Sequence, residues 1–167
     1  MSALREEVAE TLALLNQQVS RLLEQPGGYE PGASPEADRL SSPEAIYRRM
    51  GYLAHLRQEE FHVLLLNTKG ELVCDVMLYR GTVNITPICV AEVFRPAIVE
   101  GCPAIIAVHN HPSGDPTPSP EDEELATKLA AAGSLLGIKL LDFIIIGKGK
   151  YYSREGGGIE KSEKNKP

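Results

Sequence analysis

The chain has 167 residues, of which 43% are hydrophobic, and a chain of this length and composition can bury a single core of ordinary size. Its 23 acidic and 17 basic residues give a net charge of -6. This balance argues against a protein dedicated to binding nucleic acid, which needs a cationic surface to displace counterions, and leaves room only for a local basic patch. No apolar run is long enough to span a bilayer, which excludes a protein with membrane-spanning helices.

Two further features of the sequence bear on the cellular compartment. Charged residues from Arg5 to Glu10 interrupt the N-terminal segment, which therefore lacks the apolar core of a signal peptide. The cysteines Cys74, Cys89 and Cys102 are scattered and show no Cys-x-x-Cys spacing, so they predict packed thiols rather than disulfides or a cysteine zinc site. We therefore expect a cytoplasmic protein.

The N-terminal part of the chain divides into a helix and a linker. Residues 1–24 have helical periodicity, with apolar side chains three or four positions apart from Val8 to Leu22. This stripe fits either a short coiled-coil seam, which would give a homodimer, or a helix that lies against its own domain. Residues 25–42 are rich in proline and glycine and predict a flexible linker.

Helices and strands are predicted to alternate over residues 43–153. In chain order they are a helix over 43–58, a β-hairpin with strands over 61–66 and 71–78, a helix over 90–100, a strand over 103–108, a helix over 120–136 and a strand over 138–146. Tyr151 and Tyr152 indicate a further edge strand, and the polar residues 154–167 predict a disordered tail. The predicted fold class is α/β, a mixed β-sheet flanked by helices and preceded by an N-terminal helix on a linker.

Two of these helices carry predictions about shape and burial. Pro96 removes a backbone hydrogen bond and is expected to kink the helix over 90–100. The side chains predicted to face the core are Val93, Phe94 and Ile98 in that helix and Leu125, Leu129 and Leu136 in the helix over 120–136.

The most informative segment runs from His109 to Asp122 and has the pattern H-x-H-x7-S-x2-D. It follows the apolar run from Ala104 to Val108, which is typical of a buried strand. Side chains two positions apart on a strand share a face, so His109 and His111 are expected to emerge together. Two neutral imidazoles and one carboxylate form a catalytic zinc ligand set that leaves one position for water. The pattern therefore predicts a Zn²⁺ site formed by His109, His111 and Asp122.

Part of this segment also has a purely structural explanation. Ser119, the proline after it and Asp122 form a typical helix start, and similar Ser-Pro-Glu triplets begin at Ser34 and Ser42 without histidines nearby. The serine-proline-acid pattern alone therefore indicates only a helix, and the paired histidines are what point to a metal. Asp115, in the middle of the loop, is the alternative carboxylate ligand.

The segment His109–Asp122, HNHPSGDPTPSPED, resembles the JAMM (MPN-plus) metalloprotease signature. Followed by a helix and the apolar run LLDFIIIG, it is more closely similar to the JAB domain of bacterial RadC-like proteins, and residues 43–153 are identified as such a domain. The resemblance implies a mixed α/β fold of the JAB/MPN type and zinc held by His109, His111 and Asp122.

The resemblance also implies two catalytic residues. The family places a glutamate two positions before a phenylalanine that opens a hydrophobic strand, and the matching residue here is Glu59, with Glu60 as the alternative. Glu59 would take a proton from the attacking water and deliver it to the leaving amine. Ser119 would orient the water or stabilise the negative charge that develops on the carbonyl oxygen.

The chain departs from the family pattern in three places. Residues 1–42 do not resemble the helix-hairpin-helix module that usually precedes the domain. Phe143 stands where a histidine commonly follows Leu-Leu-Asp, and residues 89–92 replace a His-Pro-Arg-Glu helix start. These departures bear on partner binding and substrate preference and leave the proposed ligands untouched.

Three classes of function are open from the sequence. The first is a zinc hydrolase that acts on peptide or isopeptide bonds of a peptide or protein. The second is a factor in nucleic-acid maintenance, suggested by the DNA-repair label attached to RadC-like proteins, and the third is a non-catalytic protein-interaction module. A complete ligand set beside a candidate base favours the hydrolase.

Overall fold

The computed structural model describes Leu40 and residues 42–81 and 88–161. The helix predicted over 1–24 with its dimer seam, the linker up to residue 39 and the end of the tail, residues 162–167, lie outside the described residues. Strands and helices alternate along the described ranges, which confirms the predicted α/β class. No helix in these ranges is long and apolar enough to cross a membrane.

The described strands form one mixed sheet. They are β1 (Glu59–Leu66), β2 (Leu72–Gly81), β3 (Ala104–Asn110), β4 (Lys139–Ile146), β5 (Lys150–Ser153) and β6 (Gly158–Lys161). They lie side by side in the order β2-β1-β3-β4-β5-β6. Neighbouring strands are antiparallel except β3 and β4, which run parallel.

The helices of the described ranges are α1 (Pro43–Met50), a 3₁₀ helix (Gly51–His55), α2 (Val90–Glu100) and α3 (Pro120–Leu136). Serine caps begin α1 and α3, since Ser42 Oγ accepts a hydrogen bond from Ala45 N at 3.2 Å and Ser119 Oγ accepts one from Asp122 N at 3.1 Å. Helix α3 carries the chain from β3 to β4, which is why these two strands can run parallel.

Alternation along the strands gives the sheet two buried faces. On β1, Phe61, Val63 and Leu65 pack in one apolar cluster with α2 and α3, whereas Leu64 and Leu66 pack in a second cluster with α1 and the 3₁₀ helix. We call these the α2–α3 face and the α1 face. Helices therefore cover the sheet on both sides, as the sequence predicts.

One helix differs from its predicted form, and a second has its predicted bounds. The helix predicted over 43–58 ends at Met50, and the chain continues as the 3₁₀ helix to His55. Helix α2 is a single helix from Val90 to Glu100 with Pro96 inside it.

The prediction that Ile98 and Leu136 are buried is wrong, because their side chains are 56% and 50% exposed. Ile98 follows Ala97, the last buried residue of its helix, and Leu136 is the last residue of its helix. The residues that α2 and α3 bury are Val93, Phe94 and Ala97, and Ala126, Leu129 and Gly133, respectively. Hydrophobic residue type alone did not distinguish the buried positions of these helices from the exposed ones.

The chain beyond β4 contains more regular structure than predicted. The strand predicted at Tyr151 and Tyr152 is present as β5, but it is not an edge strand, because β6 pairs with it. Strand β6 lies inside the tail that was predicted as disordered from residue 154. Main-chain pairing and a 2.7 Å hydrogen bond from Tyr151 Oη to the Glu160 carboxylate stabilise this polar segment.

Candidate metal centre

His109 and His111 lie at the end of β3 with their rings side by side, as the spacing predicts. Their ring centroids are 5.1 Å apart and their Nε2 atoms are 3.2 Å apart. The His109 ring packs edge-on against Phe143, with centroids 5.3 Å apart, and tilted against Phe61 at 5.9 Å. These aromatic neighbours hold the ring in one orientation within the α2–α3 face.

Burial sets the protonation state of His109. The residue is 1% exposed, and this burial lowers its pKa to about 4, although the negative charge of Asp122 acts in the opposite direction. His109 is therefore neutral at physiological pH. A neutral imidazole offers a lone pair, which is the form that binds a metal ion.

His111 is oriented by the main chain of the loop that follows it. Its Nδ1 lies 2.8 Å from the carbonyl oxygen of Asp115. Because a carbonyl oxygen only accepts, Nδ1 carries the hydrogen, and in the neutral ring Nε2 presents its lone pair. Burial acts to lower the pKa of His111, but the bonds to Asp122 and Asp115 and the charge of Glu59 outweigh it and raise the pKa. A proton and a cation would thus compete for Nε2.

Asp122 faces both imidazoles from the first turn of α3. Its Oδ1 lies 3.3 Å from His109 Nε2, and its Oδ2 lies 3.4 Å from His111 Nε2. Oδ2 also accepts hydrogen bonds from the backbone N–H and the hydroxyl of Ser119, both at 2.7 Å. The capping box that begins α3 therefore also fixes the carboxylate beside the histidines.

The carboxyl group of Asp122 is ionised in this setting. Burial acts to raise its pKa, but the hydrogen bond from His111, the positive charge that His109 acquires at acidic pH and the bonds from Ser119 together hold the pKa well below its usual range. An ionised carboxylate is a stronger metal ligand than a neutral carboxyl group.

The donor atoms fit a small divalent metal ion in chemistry and in spacing. Two imidazole nitrogens and a carboxylate are ligands typical of zinc. Bonds of about 2.0–2.2 Å in a tetrahedron separate neighbouring donors by about 3.3–3.6 Å. The two imidazole nitrogens lie 3.2 Å apart, and each lies 3.3 or 3.4 Å from a different oxygen of the Asp122 carboxylate, distances close to this range.

Glu59, the first residue of β1, lies beside these donors. One of its carboxylate oxygens and the ring nitrogens of His109 and His111 all lie within 4.8 Å of one another, a grouping that could itself hold a metal ion. Burial raises the pKa of Glu59, while the charge of His111 lowers it and that of Asp122 raises it, with a net increase. By position, Glu59 can therefore act either as a ligand or as a proton acceptor.

Glu60 lies in a different environment from Glu59. It is buried, its Oε1 accepts a hydrogen bond from Arg80 Nε at 2.7 Å, and its Oε2 lies 3.1 Å from His62 Nε2. Neither partner belongs to the group around the paired histidines. The geometry therefore favours Glu59 over the alternative Glu60 as the carboxylate of the site.

The other two candidates from the sequence contribute in different ways. The Ser119 hydroxyl lines the site but donates its hydrogen to Asp122, so in this arrangement it orients the carboxylate. Asp115, the alternative ligand, directs its carboxylate to Lys150 Nζ at 3.0 Å and to the Thr117 hydroxyl at 3.0 Å. Its contribution to the site is the carbonyl group that orients His111.

A cavity of about 660 Å³ opens onto these side chains, a volume within the range of ligand-binding sites. Glu59, His109, His111, Ser119 and Asp122 all line it. Its other walls combine apolar and polar residues, which are Ile88, Pro112, Ser113, Glu121, Glu124, Leu125 and Lys128.

Two residues at the site carried no functional prediction. Asn110 is fully buried, and its position between two histidines on a strand indicates that it faces away from them and needs hydrogen-bond partners. Phe143, which departs from the family pattern, packs against His109. This contact depends on the register between β3 and β4, which the sequence does not reveal.

Comparison with known proteins places the chain among its relatives. The model of the RadC-like JAB domain matches residues 40–159. A UPF0758 protein of Geobacter sulfurreducens is 40% identical over 124 residues, 74% of this chain and 54% of the relative. One of Symbiobacterium thermophilum is 42% identical over 120 residues, 71% of this chain and 51% of the relative. One of Listeria monocytogenes serotype 4b is 47% identical over 110 residues, 66% of this chain and 49% of the relative.

The match includes all the proposed site residues and confirms the resemblance drawn from the metal motif. The chain spans about half the length of the curated relatives it matches. The names of these relatives state no activity, so the comparison establishes the family and its fold. The chain belongs to the RadC-like JAB domain family.

Proposed function

We propose that this domain is a zinc-dependent hydrolase of the JAMM type that cleaves peptide or isopeptide bonds. The observation that carries the proposal is that two imidazole nitrogens 3.2 Å apart, on His109 and His111, each lie within 3.4 Å of an oxygen of the Asp122 carboxylate, at the wall of a cavity that Glu59 also lines. Bound zinc would supply a Lewis acid that polarises a carbonyl group and makes water nucleophilic near neutral pH.

We assign Asp122 rather than Glu59 as the third ligand. The Asp122 carboxylate approaches both ring nitrogens, with Oδ1 3.3 Å from His109 Nε2 and Oδ2 3.4 Å from His111 Nε2. The bonds from Ser119 also hold the Asp122 carboxylate in place without help from a metal. Asp115 is not assigned, because its carboxylate pairs with Lys150.

Glu59 is then free to move protons. Its carboxylate lies beside the ligands in a half-buried position at the cavity wall. One oxygen would accept a proton from the attacking water and later deliver it to the nitrogen of the leaving amine, because an amine departs more readily than its anion. Burial suits Glu59 to both steps, because its raised pKa lies closer to neutrality than that of an exposed carboxylate.

Ser119 would act in two ways. It holds Asp122 through its hydroxyl and its backbone N–H. As negative charge develops on the substrate's carbonyl oxygen, the hydroxyl would turn to donate its hydrogen to that oxygen. The hydrogen bond from the Ser119 backbone N–H would then orient Asp122 alone.

The cavity supports a peptide or protein as the substrate. Ile88, Pro112 and Leu125 offer apolar contacts, and the charged groups of Glu121 and Lys128 stand at the same walls. Such a mixture suits a polypeptide, which presents both apolar side chains and polar main-chain groups. The net charge of -6 makes a nucleic acid a poorer fit.

Metal analysis of ligand variants tests the assignment. The wild-type chain should bind about one zinc ion, and His109→Ala or Asp122→Ala should lose it, because only two protein ligands remain. Asp115→Asn is the matched control, since the carbonyl that orients His111 is retained. Zinc content and competition with a chromophoric chelator provide the measurements. If Asp122→Ala binds zinc as tightly as the wild type, Asp122 is not a ligand.

A cleavage screen with peptide and isopeptide substrates tests the activity itself. We expect the zinc-loaded wild type to hydrolyse at least one of these classes and the Asp122→Ala variant to hydrolyse none. Salt-resistant binding of single-stranded DNA without any amide cleavage would contradict the proposal and move the function to another class.

A further inference from the structure

Asn110 lies between the two histidines in the sequence, but its side chain contacts the start of β1. Its Oδ1 accepts a hydrogen bond from the backbone N–H of Glu60 at 2.8 Å, and its Nδ2 donates one to the backbone carbonyl of Gln58 at 3.1 Å. These two backbone groups belong to the peptide units on either side of Glu59. One side chain therefore holds the main chain both before and after the proposed proton carrier.

The position of Asn110 in the sheet explains why these bonds are needed. The backbone register between β1 and β3 runs from Leu66↔Ala104 to Phe61↔His109. The next position along would join Glu60 and Asn110, and there the bonds to β1 come from the Asn110 side chain. Backbone pairing between β1 and β3 thus stops at Phe61, and the Asn110 carboxamide holds the backbone around Glu59 in its place.

The chemistry of these contacts specifies asparagine. A backbone N–H only donates and a backbone carbonyl only accepts, so the side chain must offer an acceptor and a donor at the same end. An ionised aspartate provides no donor, and a leucine of similar size provides neither group. Asn110 is also 0% exposed, so water cannot replace the lost bonds easily.

We propose that Asn110 is a positioning residue that fixes the Glu59 carboxylate relative to the metal ligands His109 and His111. Since Asn110 is joined covalently to both histidines and bonded to the peptide units around Glu59, it sets the distance between the ligands and the base. This inference rests on the proposed function of Glu59. A displacement of about 1 Å in such a group can lower the rate of the chemical step by about 10²-fold.

The direct test is hydrogen exchange of individual backbone amides in the metal-free chain, which requires no activity. In Asn110→Leu, the Glu60 amide should exchange at least about tenfold faster than in the wild type, because its acceptor is gone. The amides in the middle of β1, such as that of Leu64, should keep their wild-type rates. Unchanged exchange at Glu60 would overturn the proposal.

The kinetic test asks whether Asn110 acts through Glu59. Asn110→Leu should retain zinc and KM and lose about 10- to 100-fold in kcat. In a chain that already carries Glu59→Gln, the same substitution should cause little further loss, because the group that it positions no longer transfers protons. Equal losses in both backgrounds, or loss of zinc from Asn110→Leu, would show that Asn110 acts elsewhere.

Asn67 provides a matched control at the other end of β1. Its carboxamide also bonds local backbone, accepting from the N–H groups of Lys69 and Glu71 at 2.9 and 3.0 Å. Asn67→Leu should therefore affect the stability of the turn but leave kcat unchanged. If Asn110→Leu does not fold, Asn110→Asp keeps the acceptor for Glu60 and removes the donor to Gln58, and its kcat should fall by less than about 10-fold.

These two tests separate the positioning role from the proposed function. A wild-type chain that hydrolyses no amide bond refutes the function of Glu59, and the exchange of the Glu60 amide then still decides whether Asn110 holds this segment. If the wild type is active but Asn110→Leu leaves the exchange of the Glu60 amide unchanged, only the positioning role is refuted.

Discussion

Glu59 stands next to Glu60 and three positions before His62 on β1, yet its chemical environment differs from the one that Glu60 and His62 share, because strand side chains alternate between the faces of the sheet. Glu59 lies with the paired histidines. His62 is bonded to two carboxylates, with Nδ1 2.8 Å from Asp75 Oδ1 and Nε2 3.1 Å from Glu60 Oε2. An imidazole that faces an acceptor at each nitrogen is stabilised in its protonated form.

The protonation of His62 makes stability depend on pH. Burial acts to lower the pKa of His62, but the bonds to Asp75 and Glu60 outweigh it, so the pKa in the folded state is raised. Its contribution to stability is therefore fully present below the pKa of the unfolded chain, about 6.5, and is lost as the pH rises through the higher folded value. Other charged or titratable groups near this cluster are Arg80, Tyr52 and Arg49.

Urea denaturation between pH 6 and pH 9 measures this effect. The free energy of unfolding should fall over this range in the wild type, and the fall should be smaller in His62→Gln, which carries no titratable group there. His55→Gln is the control, since His55 is an exposed residue of the 3₁₀ helix. The same pH dependence in the wild type and His62→Gln would contradict the assignment.

At the residue scale, the sequence predicted the histidine pair because a period of two determines which side chains share a strand face. It also predicted that Asp122 lies in the first turn of α3, where the helix cap places it in the structure. It did not reveal that the Asp122 carboxylate accepts a hydrogen bond from the Ser119 hydroxyl, or that the Asn110 side chain bonds to the backbone of β1. Both contacts depend on side-chain directions and on the register between strands that are distant in the sequence.

The loop between β3 and α3 is held against the turn between β4 and β5. The backbone N–H of Lys148 donates to the carbonyl of Gly114 at 2.9 Å. Gly147 lies so close to this loop that an added Cβ would come within 2.6 Å of the Gly114 oxygen and 2.7 Å of Pro116 Cδ. The loop carries His111 at its start, so this contact between elements supports a proposed metal ligand.

Gly147→Ala should therefore disturb the site without altering any ligand. The new methyl group must displace the loop, which should lower the free energy of unfolding by about 1–3 kcal/mol, as is typical of overpacking. It should also weaken zinc binding in a chelator competition. Gly81→Ala is the matched control, because an added Cβ there meets nothing within 4 Å. Wild-type zinc affinity in Gly147→Ala would contradict the role given to this contact.

At the element scale, periodic apolar residues predicted the strands and helices of the core well. The predictions from sequence fail where packing contacts, rather than the pattern of apolar residues, determine which element forms. Helix α1 gives way to a 3₁₀ helix at Gly51, although the apolar pattern continues. Strand β6 is polar and forms because β5 offers it main-chain partners, which composition cannot indicate.

At the scale of the whole molecule, the fold brings together groups that are far apart in the chain. Glu59 starts β1, the histidines end β3, and Asp122 begins α3, and all of them line one cavity. The net charge of -6 and the mixture of apolar and polar residues in the walls of that cavity are the grounds on which we propose a polypeptide substrate rather than a nucleic acid. We propose that this assembly transfers a proton through Glu59 during amide hydrolysis.

The most direct test compares the rate of hydrolysis and the zinc content in the same preparations of the wild type, Glu59→Gln and Glu60→Gln. Glu59→Gln should retain zinc and lose about 10²- to 10⁴-fold in kcat, the usual contribution of a general base. Glu60→Gln should retain both, because Glu60 bonds to Arg80 and His62 away from the ligands. Loss of zinc from Glu59→Gln, or loss of activity from Glu60→Gln alone, would contradict the account.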